Sequence, residues 1–278
     1  MKKGGNVRSS LIRLLWHRIE EDDLNGLSAQ LAYFFLLALF PLLIFLFTLL
    51  PYIPIPHQDI LGVIKGVAPA EAMDLIEENV KYIMNHRNGG LLSFGIIGTI
   101  WSASNGINAI VRAFNKAYNV KESRSYIVSR GMAILLTFGM IFVLILAVIL
   151  PVFGRDIGVF LFSKLGFTNF FIKIWDTLSL LVSAIILFLI FIGLYWIAPN
   201  VKMRCRSAFP GAAFATIGWI ISSIGLRIYV GNFSNFSVTY GSIGAIIVLM
   251  IWLYISAFII VLGGEINAFY SEERKKNC

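Results

Sequence analysis

Long apolar runs alternate with short polar segments along most of the chain. Each run is about 20 residues long, which is enough for an α-helix to cross a hydrocarbon core of roughly 30 Å. The strands of a transmembrane barrel would instead show about 10 residues of alternating polarity. The pattern therefore predicts an all-α integral membrane protein, a bundle of six transmembrane helices at residues 29–50, 91–111, 132–153, 174–197, 208–230 and 242–262.

The positive charges indicate how these helices are oriented. Most of the 23 Lys and Arg residues lie before the first run, after the second, after the fourth or after the sixth. Because basic residues favour the cytoplasmic side, both termini are predicted to be inside. We expect one membrane domain over residues 1–278, with a cytoplasmic amphipathic segment at 1–27, the six-helix bundle at 28–269 and a basic cytoplasmic tail at 270–278.

Two polar segments have apolar residues at helical spacing. Residues 7–21 mix such residues with arginines, which is typical of a helix lying on the inner leaflet. Residues 68–85 predict a second amphipathic helix on the outer surface. This outer helix is interpreted either as a simple cap or as a lid or docking surface for another envelope protein.

The second predicted helix carries a polar stripe. At 100° per residue one face holds Gly98, Trp101, Asn105, Asn108, Arg112 and Asn115. Amide and guanidinium groups are costly against acyl chains, so this face should meet protein or water. Two interpretations stay open: hydrogen bonding across a helix interface, or the wall of a polar cavity open to the cytoplasm.

Other polar residues fall at the same predicted depth. They are Gln30 in the first helix, Asn200 after the fourth and Glu265 after the sixth. Together with Asn105, Asn108, Arg112 and Asn115 they form the candidate substrate path. For Glu265 we expect a cationic partner, first Arg112 and next Arg204 or Arg206; the alternative is a solvated carboxylate at the headgroup level.

The fifth predicted helix combines small residues with one charge. Its small residues recur at intervals of three and four and predict a packing face: Gly211, Ala215, Gly218, Ser222 and Gly225. Arg227 lies on another face near the outer end. It is interpreted as snorkelling to the interface or as a further residue of the substrate path.

Composition and motifs narrow the functional classes. The 278 residues are 58% hydrophobic and 14% charged, and the net charge is +8. Basic inner loops that face anionic lipid explain this positive charge, so it does not require nucleic-acid binding. No phosphate-binding loop, zinc-binding HExxH, nucleophile elbow or CxxC pair is present. The three histidines are scattered, and Cys205 and Cys278 lack metal-ligand spacing. We therefore expect no enzymatic activity, no metal and no cofactor.

Four segments together are similar to the YihY/BrkB family of bacterial inner-membrane proteins: AQLAYFFLLALFPLLIFL (29–46), WSASNGINAIVRAFNKAYNV (101–120), LYWIAPNVKMRCRSAFPGAAFA (194–215) and YGSIGAIIVLMIWLYISAFIIVLGGEINAF (240–269). The resemblance implies a six-helix plasma-membrane protein whose activity is not firmly established. Some relatives carry a virulence or serum-resistance label, and others an old ribonuclease BN label regarded as a misassignment. The polar positions that match the family are Gln30, Asn115, Tyr118, Pro199, Asn200, Pro210, Gly211, Tyr240, Gly241, Gly264, Glu265 and Asn267.

The leading functional hypothesis is a transporter or exporter of a lipid-like or amphiphilic envelope compound, using a polar cavity near the cytoplasmic side. Polar residues confined to helix faces in an otherwise apolar bundle suit a substrate with a charged head. The alternative is a non-catalytic structural or partner-binding envelope protein, and a ribonuclease is a remote alternative. Expected partners are membrane lipids and another envelope protein at the outer amphipathic helix, without nucleic acid; the oligomeric state is left open.

Overall fold

Helices dominate the structure, a computed structural model that describes residues 17–52, 77, 80–84, 86–142, 159, 168–201, 205–232 and 235–276. We number the long helices in these ranges α1 (Leu24–Leu49), α2 (Gly89–Ala117), α3 (Tyr126–Phe142), α4 (Thr168–Ile197), α5 (Phe209–Asn232) and α6 (Asn235–Lys276). Short 3-10 segments lie at Leu50–Tyr52 and Cys205–Ala208. Residues 17–21 form a short helix, named here the N-terminal helical segment. No strand occurs in the described ranges.

Five stretches in the described ranges are long and apolar enough to cross a membrane: Leu24–Tyr52, Gly89–Ala117, Leu178–Ile197, Cys205–Tyr229 and Ile246–Glu272. Their outward faces carry large apolar side chains such as Ile97, Leu180 and Ile221, each more than 60% exposed. Side chains of this kind avoid water, so lipid is their natural environment. The all-helical membrane architecture predicted from the sequence is therefore confirmed.

The remaining predicted helices fall partly outside the described residues. Helix α3 is apolar but covers 17 residues, and residues 143–153 of the predicted third span lie beyond the described range. Most of the amphipathic segments at 7–21 and 68–85 also lie outside it. The six-span count stays a prediction.

Polar residues define where the helices start and stop. Asn88 accepts the backbone N–H of Leu91 through Oδ1 at 2.9 Å and so caps α2. Asn119, two residues after the end of α2, is in the left-handed region (φ 51°). The N–H of Val120 donates to the carbonyl of Asn115 at 2.9 Å, which closes the helix end. This tight ending holds the α2–α3 link (residues 118–125) close to the last turn of α2.

The chain divides into two compact units. The smaller, residues 34–103, contains the later part of α1 and the first part of α2. Pro41 lies inside α1, and the helix continues past it. A Cβ added to Gly98 of α2 would lie 3.0 Å from the ring of Pro41. Arg87 donates through Nε to the carbonyl of Pro51 at 3.2 Å and stacks over the Tyr52 ring.

The larger unit, residues 1–33 and 104–278, has its core where α4, α5 and α6 pack together. The buried Tyr195 hydroxyl donates to the carbonyl of Ile260 at 2.8 Å, and its ring lies 5.0 Å from that of Phe114. A Cβ at Gly263 would overlap the Tyr195 hydroxyl, and one at Gly264 would overlap the Phe114 ring. These glycines let α6 approach its neighbours closely.

The small-residue stripe of α5 meets different surroundings along its length. A Cβ on Gly211 would overlap the carbonyl oxygen of Gly263, and one on Gly218 would lie 3.1 Å from Ile259. Ala215 is fully buried. Ser222 donates to the carbonyl of Trp219 within its own helix at 2.9 Å. At Gly225 no heavy atom of the described residues lies within 4 Å of an added Cβ. Close helix approach is thus observed toward the start of α5.

Candidate polar site at the helix ends

Glu265 is almost fully buried near the end of α6, with 1% of its side chain exposed. Nη1 of Arg18 lies 3.7 Å from its Oε2. Nη2 of the same guanidinium donates to Oε2 of Glu272 at 2.6 Å, and the guanidinium carbon lies 5.9 Å from the centroid of the Phe269 ring. Positions 265, 269 and 272 share one face of a helix. The N-terminal helical segment therefore packs along α6 through Arg18.

This contact shows that the partner predicted for Glu265 is wrong. Arg112 and Arg206 are exposed, Arg204 lies outside the described residues, and the cation beside Glu265 is Arg18. Helix α6 also continues past Glu265 to Lys276. Helical spacing predicts the face on which a residue lies, but not which distant segment packs against that face. The sequence predicts residues 7–21 as a helix on the surface of the inner leaflet, and this position gives no reason to pair Arg18 with Glu265.

Two further groups surround this ion pair. The carboxyl group of Asp22 acts electrostatically on Glu265, and the backbone carbonyl of Asp22 accepts Nζ of Lys116 at 2.6 Å. Burial, with a smaller effect of the nearby Glu265 carboxylate, raises the pKa of Tyr118 well above its usual range. The Tyr118 hydroxyl therefore stays protonated at any physiological pH.

Asn115 organises a second polar cluster. It is 5% exposed, accepts the backbone N–H of Asn200 through Oδ1 at 2.7 Å, and donates through Nδ2 to Oε2 of Glu122 at 2.9 Å. Nδ2 of Asn200 donates to Oγ of Ser123 at 2.7 Å and to the carbonyl of Lys121 at 3.2 Å. Asn115 and Asn200 are thus brought together, where they join the end of α4 to the α2–α3 link.

Arg124 completes this cluster by holding Glu122. It donates through Nε to Oε1 at 2.7 Å and through Nη2 to Oε2 at 2.8 Å, a bidentate arrangement. Nη2 of Arg124 also donates to the carbonyl of Ala198 at 3.0 Å. The hydrogen bonds from Arg124, together with that from Asn115, lower the pKa of Glu122 to about 2.

Acid should weaken this cluster in a defined pH window. The folded-state pKa of Glu122 lies below its unfolded value of 4.5, so its stabilising effect is present above about pH 4.5 and is lost as the pH falls toward 2. We expect Glu122→Gln to cost about 1 kcal/mol at pH 7 and almost nothing near pH 2. Unfolding in detergent micelles, followed as a function of pH, measures this difference. A difference that persists at pH 2 would contradict the ionic origin of the contribution.

Asn105 and Asn108 face α3 rather than the Asn115 cluster. Oδ1 of Asn105 accepts Nη1 of Arg130 at 2.6 Å. Asn108 and Arg130 both line a pocket of about 240 Å³ between α2 and α3, named here the α2–α3 pocket. The stripe predicted on α2 therefore meets protein groups at Asn105 and Asn115, and a hollow at Asn108 and Arg112.

A larger hollow lies where the N-terminal helical segment, the end of α2 and the end of α6 converge. This cytoplasmic-end cavity, named from the predicted orientation, has a volume of about 830 Å³. Its lining includes Arg18, Asp22, Arg112, Asn115, Lys116 and Glu272. Arg112 also lines the α2–α3 pocket, and it forms no hydrogen bond or ion pair with the described residues. An exposed guanidinium thus stands between two adjoining hollows.

Not every candidate residue joins this region. Gln30 on α1 and Arg227 on α5 are exposed, and neither lines the two hollows just described. Glu265 is buried and lines neither hollow. Their assignment to a substrate path stays a prediction.

Sequence analysis missed several residues that build the site: Arg18, Asp22, Glu122, Arg124 and Arg130. A signal was present for Arg18, since residues 7–21 mix arginines with apolar residues at helical spacing and acidic residues follow Arg18 closely. Glu122 and Arg124 are two positions apart in a loop, where no helical period applies. Within the described residues no group of three or more His, Cys, Asp or Glu side chains could hold a metal ion.

Apolar helices of membrane-spanning length, with polar and charged groups gathered at one set of helix ends, define a multi-pass helical membrane protein. A family model described as Virulence factor BrkB matches residues 15–277, and the chain belongs to this family. The resemblance inferred from the four sequence segments is confirmed.

Individual relatives support the same assignment. A Bacillus subtilis (strain 168) protein named "Putative ribonuclease-like protein YfkH" is 51% identical over 266 residues, covering 96% of this chain and 97% of its own length. A UPF0761 membrane protein of Aliivibrio salmonicida is 30% identical, covering 95% and 84%, and one of Haemophilus influenzae is 24% identical, covering 93% and 94%. The protein is thus a multi-pass bacterial membrane protein. No solved structure matches the chain.

Proposed function

We propose that this protein transports a lipid-like or amphiphilic envelope compound and that the cytoplasmic-end cavity receives its polar head. The observation that carries the proposal is the exposed, unpaired Arg112 on the wall of a cavity of about 830 Å³ in an otherwise apolar helical protein. That volume lies within the roughly 300–1,000 Å³ typical of ligand sites. Ionisable residues within membrane-spanning segments often mark a substrate pathway, and Arg112 lies within the span Gly89–Ala117.

The lining carries four basic and four acidic side chains, and the cations that the protein leaves unpaired support an anionic head. Of the acidic side chains, Glu272 is bound by Arg18 and Glu122 by Arg124. Oε2 of Glu21 lies 3.3 Å from Nδ1 of His17, and the carboxyl group of Asp22 acts on Glu265. Arg112 and Lys121 line the same cavity, and they form no ion pair with the described residues. Attraction between these cations and an anionic head would place the substrate against α2.

The proposal includes six membrane-spanning helices with both termini in the cytoplasm, the third formed by α3 and the residues that follow it. In that orientation the cavity opens to the cytoplasm, because it lies at the start of α1 and at the ends of α2 and α6. Membrane lipids are the proposed partners. The name of the Bacillus relative describes that protein, and we propose no catalytic step for this chain.

A second candidate function is structural. Asn105, Asn115 and Glu265 each have a protein partner, respectively Arg130, Asn200 and Arg18. Contacts of this kind hold helices together without any ligand. In this alternative the cavity is an incidental gap, and the protein acts by binding another envelope component.

Lipid movement in proteoliposomes separates the two functions. We expect full-length protein to move a fluorescent anionic phospholipid between leaflets faster than protein-free liposomes do, measured by dithionite quenching. Arg112→Gln should lower this rate about tenfold, since a charge-assisted hydrogen bond contributes about 1.5–3 kcal/mol, and should leave the unfolding temperature unchanged. Arg206→Gln is the matched control, because Arg206 is exposed and lies outside both hollows.

The opposite results favour the structural alternative. If the wild-type protein moves no lipid, or if Arg112→Gln and Arg206→Gln reduce movement equally, the cavity is not a substrate site.

A further inference from the structure

The α2–α3 pocket contains one arginine that is held by a hydrogen bond and one that has no partner among the described residues. It is lined by Asn108, Val111 and Arg112 from α2 and by Tyr126, Ser129 and Arg130 from α3, with Glu122 at its edge. Arg130 is held in place by its 2.6 Å hydrogen bond to Asn105. Arg112, exposed and without a partner among the described residues, is available to a ligand.

The acidic residue of the pocket does not cancel this charge. Both carboxylate oxygens of Glu122 accept hydrogen bonds from Arg124, and Oε2 also accepts one from Asn115. Because Glu122 is neutralised by Arg124, it does not cancel the charge of Arg112, which has no partner among the described residues. Two guanidinium groups with nearby amide and hydroxyl groups are suited to an oxyanion, which arginine binds in a bidentate manner.

The size and surroundings of the pocket indicate what carries this oxyanion. A volume of about 240 Å³ is below the roughly 300 Å³ at which sites for whole drug-sized ligands begin, so it suits a head group only. The first turn of α3 presents Tyr126, Ile127 and Val128, which are 76%, 81% and 56% exposed. An apolar tail can lie along this surface while the head occupies the pocket.

We propose that the α2–α3 pocket binds the phosphate group of an amphiphile, with Arg112 and Arg130 contacting the phosphate oxygens and Asn108 and Ser129 completing the site. The inference rests on the proposed transport function and gives its substrate class. Because Arg112 lines both hollows, a head group bound in this pocket is already next to the cytoplasmic-end cavity.

Binding can be tested without any transport assay. The probe is dihexanoyl-phosphatidylglycerol, titrated by calorimetry into the full-length protein in detergent. Dihexanoylglycerol, with the same tails and no phosphate, should bind at least about tenfold more weakly. Glycerol phosphate, with the same head and no tails, distinguishes the source of the phosphate: weaker binding than the lipid identifies an amphiphile, and equal binding identifies a soluble phosphate compound in the same site.

Substitutions test whether the lipid binds in the α2–α3 pocket. Arg130→Gln and Asn108→Leu change residues that line only the α2–α3 pocket, whereas Arg206→Gln removes an exposed charge that lines neither hollow. We expect the first two to weaken binding about tenfold and Arg206→Gln to change it less than about twofold. Asn108→Leu keeps the test valid if loss of the Arg130 contact to Asn105 impairs folding.

Either of two results would overturn the inference: equal binding of the lipid and of dihexanoylglycerol, or equal effects of Asn108→Leu and Arg206→Gln on binding of the lipid. Failure of transport with this binding intact would reject the proposed function and keep the site. Transport without phosphate-dependent binding would reject the site and keep the proposed function.

Discussion

Arg18→Ala is expected to destabilise the folded protein by about 2 kcal/mol, because it removes the cation beside the buried Glu265 side chain and a charge-assisted hydrogen bond to Glu272. Glu265 is 1% exposed, and Arg18 is the basic side chain within 4 Å of it in the described residues. The same substitution removes the 2.6 Å bond to Glu272. Equilibrium unfolding in mixed micelles measures the loss, with Arg227→Ala, a change at an exposed arginine, as the control.

The pairing itself is tested by a double-mutant cycle. Adding Glu265→Gln to Arg18→Ala should recover part of the lost stability, with an interaction energy of about 1–3 kcal/mol, since the uncompensated charge is then gone. Additive effects of the two substitutions would contradict a direct interaction between the side chains.

Gly211→Ala is expected to cost about 3 kcal/mol of folding free energy, because its Cβ would overlap the carbonyl oxygen of Gly263 on α6. Relief requires α5 and α6 to separate, since the obstacle is backbone. The amide of Gly211 belongs to the first turn of α5, where backbone N–H groups have no partner within the helix. It donates to Oδ1 of Asn267 at 2.7 Å, and separation of the helices would strain this bond.

Gly225→Ala provides the matched control on the same helix. An added Cβ there meets no described heavy atom within 4 Å, and alanine favours the helix by about 1 kcal/mol relative to glycine. We therefore expect unchanged or slightly raised stability, measured by unfolding in the same micelles. Equal losses at the two positions would show that α5 does not approach α6 in the way described.

The helical architecture could be predicted because apolar length is a property of the sequence alone. Five of the predicted membrane helices are found as helices of sufficient length. Their ends were less predictable, since α6 continues as a helix through Glu265 to Lys276. Hydropathy marks where a segment stops being apolar, whereas a helix stops where its backbone hydrogen bonds end.

The partners of the polar residues could be predicted only in part. Helical spacing placed Asn105 and Asn115 on a face expected to meet protein or water, but it could not identify Arg130 or Asn200 as their partners. Those contacts depend on how neighbouring helices are rotated and on the loop that carries Glu122 and Arg124. The small-residue stripe shows the same limit, because an identical spacing leads to close packing at Gly211 and to open space at Gly225.

The contact between Arg18 and the end of α6 also has a consequence for biosynthesis. The two hydrogen-bonded residues Arg18 and Glu272 are 254 positions apart, so the ribosome must produce all the residues between them before this contact can form. Long-range contacts of this kind form late because the intervening chain must first be ordered. A nascent chain stalled before α6 therefore cannot form the contact between the N-terminal helical segment and α6.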